Sequence, residues 1–412
     1  MTDRKTLKTT SCIAGGGPAG VMLGYLLARQ GVDVVVLEKH ADFFRDFRGD
    51  TIHPSTLQAM DEMGLLDGYL EKPFQKTEQL SVVIEGQEIP IADFRHLPVA
   101  APYIAMMPQW EFLNHLAEQG RALPGFTLLM STRAERFVET DGRVTALEAS
   151  GPDGPLTIEA DLIVGADGRD SVLRDQSGLS VKDIGAPVDV YWFRLSRQKG
   201  GTESLGRVSA DGMLVMINRG DYWQCALPFL KGADAQIRSQ GLPAFRERIT
   251  RLAPSLSDVV GELTSWDDVK LLTVQVNRME TWWKPGLLFI GDAAHAMSPV
   301  GGVGVNLAVQ DAIAAARILG GPLREGRLSD KDLAAVQKRR EWPARVTQAA
   351  QVMAHRRVLV PALSHHSKLG VPFMLRLFQW LPLLRRLPAR AVGMGVRPEH
   401  WDTRLDRLAD AA

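Results

Sequence analysis

Cysteine is nearly absent: Cys12 and Cys225 are the two in 412 residues. They are too few and too far apart for a disulfide framework or a thiolate metal cluster, and a reducing, cytoplasmic setting is expected. Net charge is absent as well, with 48 basic side chains against 48 acidic, so nothing steers the whole molecule toward nucleic acid. No apolar run reaches the roughly 20 residues of a transmembrane helix. The opening Met1–Lys5 brings no signal-like stretch, and no internal repeat or low-complexity tract appears. His53, His295 and the His365-His366 pair lack the spacing of zinc or iron ligands, so no metal is expected. What remains is 45% hydrophobic, enough for more than one core.

The first readable unit is a strand near Thr10 to Ala14, a glycine turn, a helix from about Ala19 to Gln30 and a second strand from Val32 to Leu37. Pro54 to Met63 reads as a helix with Pro54 in its first turn. Short strands such as Leu80 to Ile84 follow, then a helix at Gln109 to Ala122 and a hairpin at Arg136 to Leu147 turning on Asp141-Gly142. A buried strand at Leu162 to Gly165 precedes a helix near Ser171. Val188 to Leu195, Met213 to Asn218, Trp223 to Phe229 and Leu271 to Val276 are strand candidates, interrupted by a helix near Pro243 to Leu252. Their aromatic and β-branched content suits an antiparallel sheet. Leu287 to Ile290 is a further buried strand, and Val303 to Leu319, Asp330 to Val358 and Pro372 to Leu384 read as helices. The apolar cluster from Phe373 to Leu381 reads first as intramolecular packing and second as a peripheral membrane face.

Gly15, Gly17 and Gly20 have the G-x-G-x-x-G spacing directly after a predicted strand. The first permits a tight turn, the second lets a pyrophosphate approach the backbone, and the third lets helix and strand pack closely. Pro18 and Ala19 open the helix, whose free amides can satisfy phosphate oxygens. Glu38, followed by Lys39, ends the second strand, where a carboxylate can accept from a ribose. A structural turn is the alternative for the loop taken alone, and nothing in this unit separates one dinucleotide from another. Two distant segments repeat the strand-then-acidic-turn logic: Val164-Gly165-Ala166-Asp167-Gly168, running on to Arg174, and Phe289-Ile290-Gly291-Asp292, running on through Pro299 to Gly301-Gly302-Val303-Gly304-Val305-Asn306.

With these three motifs in order, the chain from Ser11 to about Ala350 resembles the class A flavoprotein aromatic hydroxylases, the wider family of para-hydroxybenzoate hydroxylase. The resemblance implies an α/β fold: a Rossmann-like FAD-binding domain from 1–71, 102–180 and 284–360, a mainly antiparallel substrate domain from 72–101 and 181–283, and a helical C-terminal region, 361–412. It implies FAD contacts at Gly15, Gly17, Pro18, Ala19, Gly20, Glu38, Lys39, Arg48, Gln109 and Asp292. Pro299, Gly302, Gly304, Val305 and Asn306 would approach the isoalloxazine, and Asp167 and Arg174 would organise the acidic turn where FAD meets NADPH or NADH. Asp50 and Asp170 stand where some related hydroxylases carry basic residues for the nicotinamide phosphate, so the choice between the two reductants stays open.

The implied reaction is reduction of FAD by NAD(P)H, formation of a flavin C4a-hydroperoxide with dioxygen, and hydroxylation of an aromatic, phenolic, quinol or polyketide-like molecule. The alternative is a flavin-dependent dehydrogenase or reductase acting on a lipophilic substrate. His53 is the first candidate base, beside a structural role in the cofactor loop. Tyr191, Met213, Arg219 and Trp223, together with Trp192, Phe193, Met216 and Phe229, are candidate substrate-cavity residues. Strand side chains alternate faces, so they cannot all turn inward. Monomer and homodimer are both open.

Overall fold

Val34-Val35-Val36-Leu37 offers no polar side chain to water, and all four residues are buried. Such a strand needs cover on both faces, which is the signature of a parallel sheet. The computed structural model, which describes residues 5–44, 51–197, 206–364 and 373–407, places it in one. Strands Phe126–Leu129, Val34–Leu37, Lys5–Ala14, Gly154–Gly165 and Leu287–Phe289 lie side by side in that order, all parallel. Numbered along the chain, the order is 3-2-1-4-5. The winding therefore reverses between Lys5–Ala14 and Gly154–Gly165, and a crevice opens beyond the carboxyl ends of these two strands. The hairpin Arg133–Thr140 and Arg143–Gly151 extends the sheet antiparallel against Gly154–Gly165. Its turn sits at Asp141 and Gly142, with φ of 51° and 76°.

The helices in chain order are α1 (Pro18–Arg29), α2 (Pro54–Glu62), α3 (Leu66–Leu70), α4 (Gln109–Arg121), α5 (Val172–Ser177), α6 (Asp234–Ser239), α7 (Gly241–Leu252), α8 (Gly304–Arg324), α9 (Asp330–Ala354), α10 (Val360–Ser364), α11 (Phe373–Trp380) and α12 (Arg386–Gly393). On one face of the parallel sheet α1, α4 and α8 share a core that includes Leu23, Leu27, Phe112, Leu116, Ile313 and Leu319. On the other, Leu147, Phe289, Trp282 and Leu173 pack together with Ala344 of α9. Each such large apolar side chain contributes roughly 1.5–3 kcal/mol by leaving water. The segment Val300–Arg324 is long and apolar enough to cross a bilayer, yet 67% of its apolar stretch is buried inside the protein.

The second sheet runs Lys270–Leu272, Val188–Ser196, Tyr222–Leu230, Gly212–Asn218, Gly206–Ser209, Gln79–Ile84, Gln87–Asp93. It is antiparallel except where Gly206–Ser209 meets Gln79–Ile84. Alternation divides it cleanly. Tyr191, Phe193, Leu214, Met216, Cys225, Leu227 and Phe229 pack beneath Phe245, Ile249 and Leu252 of α7. Val190, Trp192, Val215, Ile217 and Ala226 turn the other way. The expected strand over Leu271 to Val276 is shorter, ending at Leu272. The reason lies in side chains: Val274 N donates to Asp189 Oδ1 (2.9 Å) and Val274 O accepts from Lys231 Nζ (2.8 Å), which removes both groups from any ladder. The helix expected over Pro372 to Leu384 ends at Trp380, and Pro382 opens a separate short turn, Pro382–Arg385.

Candidate functional site

The crevice at the winding reversal is built by close main-chain approach. Gly15 has φ of 111°, and a Cβ there would stand 2.3 Å from Ala166 O. At Gly20 a Cβ would stand 1.9 Å from Gly15 O, so the third glycine lets α1 seat against the turn. At Gly17, by contrast, an added Cβ meets nothing within 4 Å: this position faces open space. α1 starts here with Pro18 in its first turn and no side chain capping it. Glu38 is buried at the end of the neighbouring strand, its Oε1 accepting from His40 N (2.9 Å). Its carboxylate closes directly over the loop, since a Cβ on Gly16 would lie 3.0 Å from Oε2. Lys39 beside it is exposed.

The two acidic turns converge on the same place. Asp292 lies in the turn Gly291–Ala293, and its Oδ2 accepts from Arg169 Nη2 (3.3 Å), the residue just after Asp167-Gly168. A Cβ on Gly291 would meet Ala19 Cβ at 3.1 Å and Ala308 Cβ at 3.4 Å. The Asp292 turn is thus held between the first turn of α1 and Ala308, one turn into α8. Neither helix has a side-chain cap, so two positive helix ends face one crevice, an arrangement suited to phosphate and other electron-rich groups. Arg174 is buried and spends its guanidinium on main chain: Nη1 donates to Ala293 O (3.1 Å) and Nη2 to Arg169 O (2.5 Å). It therefore clamps one acidic turn to the other. Burial holds the Asp167 carboxyl above the ordinary range, against the Ser171 hydroxyl and the amides of Val172 and Leu173 that favour its charged form. Among the described residues Asp167 Oδ1 and Arg169 Nη1 are buried with no protein partner. An unused acceptor and an unused donor in a crevice with an open glycine fit a ligand carrying ribose hydroxyls and phosphates.

Beneath this turn lies a charge network in which His295, three residues after Asp292 and placed to orient this loop, meets Asp311, Arg340 and Glu399, three partners that sequence reasoning missed. His295 Nε2 sits 2.5 Å from Asp311 Oδ2, which also accepts from Gly291 N (3.1 Å). Asp311 Oδ1 accepts from Arg340 Nε (2.9 Å), and Arg340 Nη1 lies 3.4 Å from Glu399 Oε1. The side chains of these four residues are at most 1% exposed. Burial works against the Asp311 charge, but His295 and Arg340 outweigh it and hold the carboxyl below its usual range. The signal was slight: an Asp in an apolar helix and an Arg in another, each of which must find a partner once buried.

A second junction joins the glycine run to residues 51–56. Gly301 and Gly302 both have positive φ, and the turn leads into α8. Pro299 and Gly302 to Val305 are half-buried. The Asn306 side chain is fully engaged: Oδ1 accepts from His53 N and Thr56 Oγ1 (both 2.8 Å), and Nδ2 donates to Thr51 O and Gly302 O (both 3.2 Å). No polar atom of the side chain is left for a ligand. His53 is completely buried, with Nδ1 2.8 Å from Val392 O. A carbonyl can only accept, so Nδ1 carries the proton and Nε2 is a bare acceptor, without a partner among the described residues. Burial pulls its pKa down to about 4, partly offset by the Val392 bond, so the ring is neutral at pH 7. Ala391, Val392 and Met394 to Val396 line a cavity of about 50 Å³ with Ser55, Val303, Asn306 and Gln310. Gln109 opens α4 and is half-buried; Arg48 lies outside the described residues.

The antiparallel sheet sorts the other candidates. Tyr191 faces α7, stacked on Phe229 with centroids 4.3 Å apart, its hydroxyl donating to Asp234 Oδ1 (2.5 Å). Trp223 is on the same side, and the Arg197 guanidinium covers its ring at 5.1 Å. These two belong to the core beneath α7, because their register parity is that of Phe193 and Cys225. Met213 has the parity of Val215 and Ile217, and Arg219 follows the strand, its Nε donating to Gln224 Oε1 (3.2 Å). The face opposite α7 is formed by Trp192, Val215 and Ile217 with Val392 and Met394 from the C-terminal segment. The apolar helix from Phe373 pointed to packing by the tail, but Val392 and Met394 gave no signal of their own in the chain.

Comparison with known proteins gives a consistent picture. A family described as "FAD binding domain" matches residues 8–350. The 6-methylpretetramide 4-monooxygenase of Streptomyces rimosus is 34% identical over 355 residues, 85% of this chain and 84% of that protein. The para-nitrophenol 4-monooxygenase of Pseudomonas sp. (strain WBC-3) is 26% identical, covering 73% of this chain and 75% of its own. Among solved structures, p-nitrophenol 4-monooxygenase PnpA from Pseudomonas putida DLL-E4 superposes with a TM-score of 0.72 at 22% identity, covering 97% of this chain and 96% of that one. That likeness speaks for the fold.

Proposed function

Since this chain belongs to the FAD binding domain family and is an FAD-dependent monooxygenase, we propose that it hydroxylates a phenolic, fused-ring or polyketide-like molecule held against the Trp192–Val215–Ile217 face. The observation that carries the reading is that apolar face, turned away from α7 and sharing one apolar cluster with Val392 and Met394. An extended aromatic plane is what such a surface takes up. The relatives are monooxygenases by name, which favours oxygen insertion over a dehydrogenase or reductase.

The bound flavin supplies the activation of dioxygen once a nicotinamide cofactor has reduced it. Overall, substrate, dioxygen, NAD(P)H and a proton give hydroxylated substrate, water and NAD(P)+. The two electrons come from the nicotinamide, one oxygen atom enters the ring and the other leaves as water. The chain's own residues position and shield. Gly17, Ala19 and Gly20 present main-chain N–H groups, and Gly17 open space, to a pyrophosphate, while Gly15 makes the tight turn and Pro18 starts the helix, with Glu38 at the ribose and Lys39 and Gln109 at the rim. Asp292 stands between the two helix ends, set by Arg169 and Arg174, while Asp167 offers its unpaired oxygen. Gly302, Gly304, Val305 and Asn306, led in by Pro299, offer main chain at the start of α8. His53 Nε2, a neutral acceptor at the junction of that loop and Val392, is assigned to the substrate hydroxyl, which it would orient by accepting its hydrogen bond; with a pKa of about 4 it does not take the proton.

The test is turnover under isotopically labelled dioxygen with NADH and NADPH across a panel of phenolic and polycyclic substrates. One labelled oxygen per product is expected; product with oxygen from water, or with none added, would refute the reading. Asp292→Ala should weaken FAD binding about ten- to a hundredfold, the loss of one or two charge-assisted hydrogen bonds. Flavin fluorescence titration of the reconstituted protein measures it.

A further inference from the structure

From Trp342 to Pro398 the chain carries nine Lys or Arg residues and no Asp or Glu, although the whole sequence is balanced. The same stretch holds eight of the thirteen large apolar side chains that are exposed among the described residues. The densest part is α11 to α12, where Phe373 is 73% exposed, Trp380 68%, Leu383 68% and Leu387 67%. Phe373, Arg376 and Trp380 fall three and four residues apart on one stripe of α11, and all three are exposed. Leu383 and Leu387 continue the apolar surface, with Arg386 and Arg390 exposed beside them. The inward side of these helices is already used, packed on the edge strand Gln87–Asp93. The exposed set is therefore a second face, which the fold of this chain leaves to solvent.

We infer that the α11–α12 face seats on an anionic phospholipid bilayer. Two features of the patch select that occupant. The arginines are interleaved with the apolar side chains rather than set around them. At a protein interface an arginine among core anchors would have to be desolvated and paired, but at a bilayer its aliphatic stem lies beside the acyl chains while the guanidinium reaches the phosphates. The uniform positive sign also argues against a second copy of this chain, because a two-fold contact would set Arg376, Arg386 and Arg390 against their own kind. Tryptophan at the membrane boundary and basic side chains toward anionic headgroups are the expected pairing. The seat does not depend on which molecule the enzyme hydroxylates.

Flotation of the FAD-loaded enzyme with vesicles tests this directly. Binding is expected to vesicles of equimolar phosphatidylcholine and phosphatidylglycerol, with little to phosphatidylcholine alone, and to weaken as salt rises. The triple variant Trp380→Ser, Leu383→Ser, Leu387→Ser should lose at least tenfold in partitioning. The triple variant Arg376→Glu, Arg386→Glu, Arg390→Glu should lose more, at about fivefold for each cation removed. Unchanged flavin content and turnover in both variants would show that the fold survives. No partitioning of the parent enzyme into phosphatidylglycerol vesicles would overturn the inference. So would partitioning that neither variant alters, or capture of this face by an acidic carrier protein with no vesicle binding.

Discussion

At the crevice of the parallel sheet, Gly15, Asp167, Gly291 and Asp292 come together because main chain meets main chain: a Cβ on Gly15 has no room beside Ala166 O. On the antiparallel sheet, Trp192, Val215 and Ile217 come together because they share a register parity, and a segment nearly two hundred positions later packs into the same apolar cluster. The first kind of site constrains residue type so tightly that glycine and aspartate stand out in the sequence. The second constrains only size and apolarity, which ordinary core residues satisfy equally well. The difference predicts how each end fails: abruptly at the crevice, gradually on the sheet.

Gly15→Val should break the crevice outright, because a branched side chain meets main chain at 2.3 Å in a left-handed conformation. The expected result is protein purified without bound flavin, read from its visible absorbance. Arg340→Met comes next. It leaves Asp311 and Glu399 facing each other in the interior and should cost about 3 kcal/mol or more in urea denaturation. Arg340→Lys should recover part of this, since one ammonium cannot span both carboxylates as a planar guanidinium does.

His53 sharpens the comparison through pH. Its folded pKa of about 4 lies below the ordinary histidine value, so between these two the unfolded chain binds the proton and the folded one does not. Its contribution to stability is thus present above about pH 6.5 and is lost as pH falls toward 4, by about 3 kcal/mol in total. His53→Gln should flatten that part of a stability–pH profile; an unchanged profile would show that the buried ring does not set it. The smallest effects separate the two faces of the antiparallel sheet. Tyr191→Phe should cost about 1 kcal/mol with turnover unchanged, through loss of its bond to Asp234. Trp192→Ala should raise KM for an aromatic substrate while FAD affinity stays at the parent value. The reverse pattern would move the substrate to the α7 side.

The motif residues around Gly15, Asp167 and Asp292 were legible because turns impose local rules, and so were the hairpin at Asp141-Gly142 and the helix opening at Pro54. Side-chain competition hid other features: Asp189 and Lys231 end a strand at Leu272 by taking the backbone groups of Val274. Tyr191 and Trp223 read as cavity residues by composition, yet the sense of alternation that turns them under α7 is set by which face that helix covers. The network under the Asp292 turn was least legible, since nothing near Asp311 announces Arg340 or Glu399.

Glu399 has a practical meaning for anyone who divides or recombines this enzyme. A fragment that ends before it, however self-sufficient its nucleotide-binding half looks on a domain diagram, leaves Arg340 short of one of its two carboxylates and Arg339 and Arg317 without the one they share. Tails exchanged between relatives carry the same hidden requirement: the graft must bring an acid that reaches this arginine cluster, or the recipient's cofactor loop loses its footing.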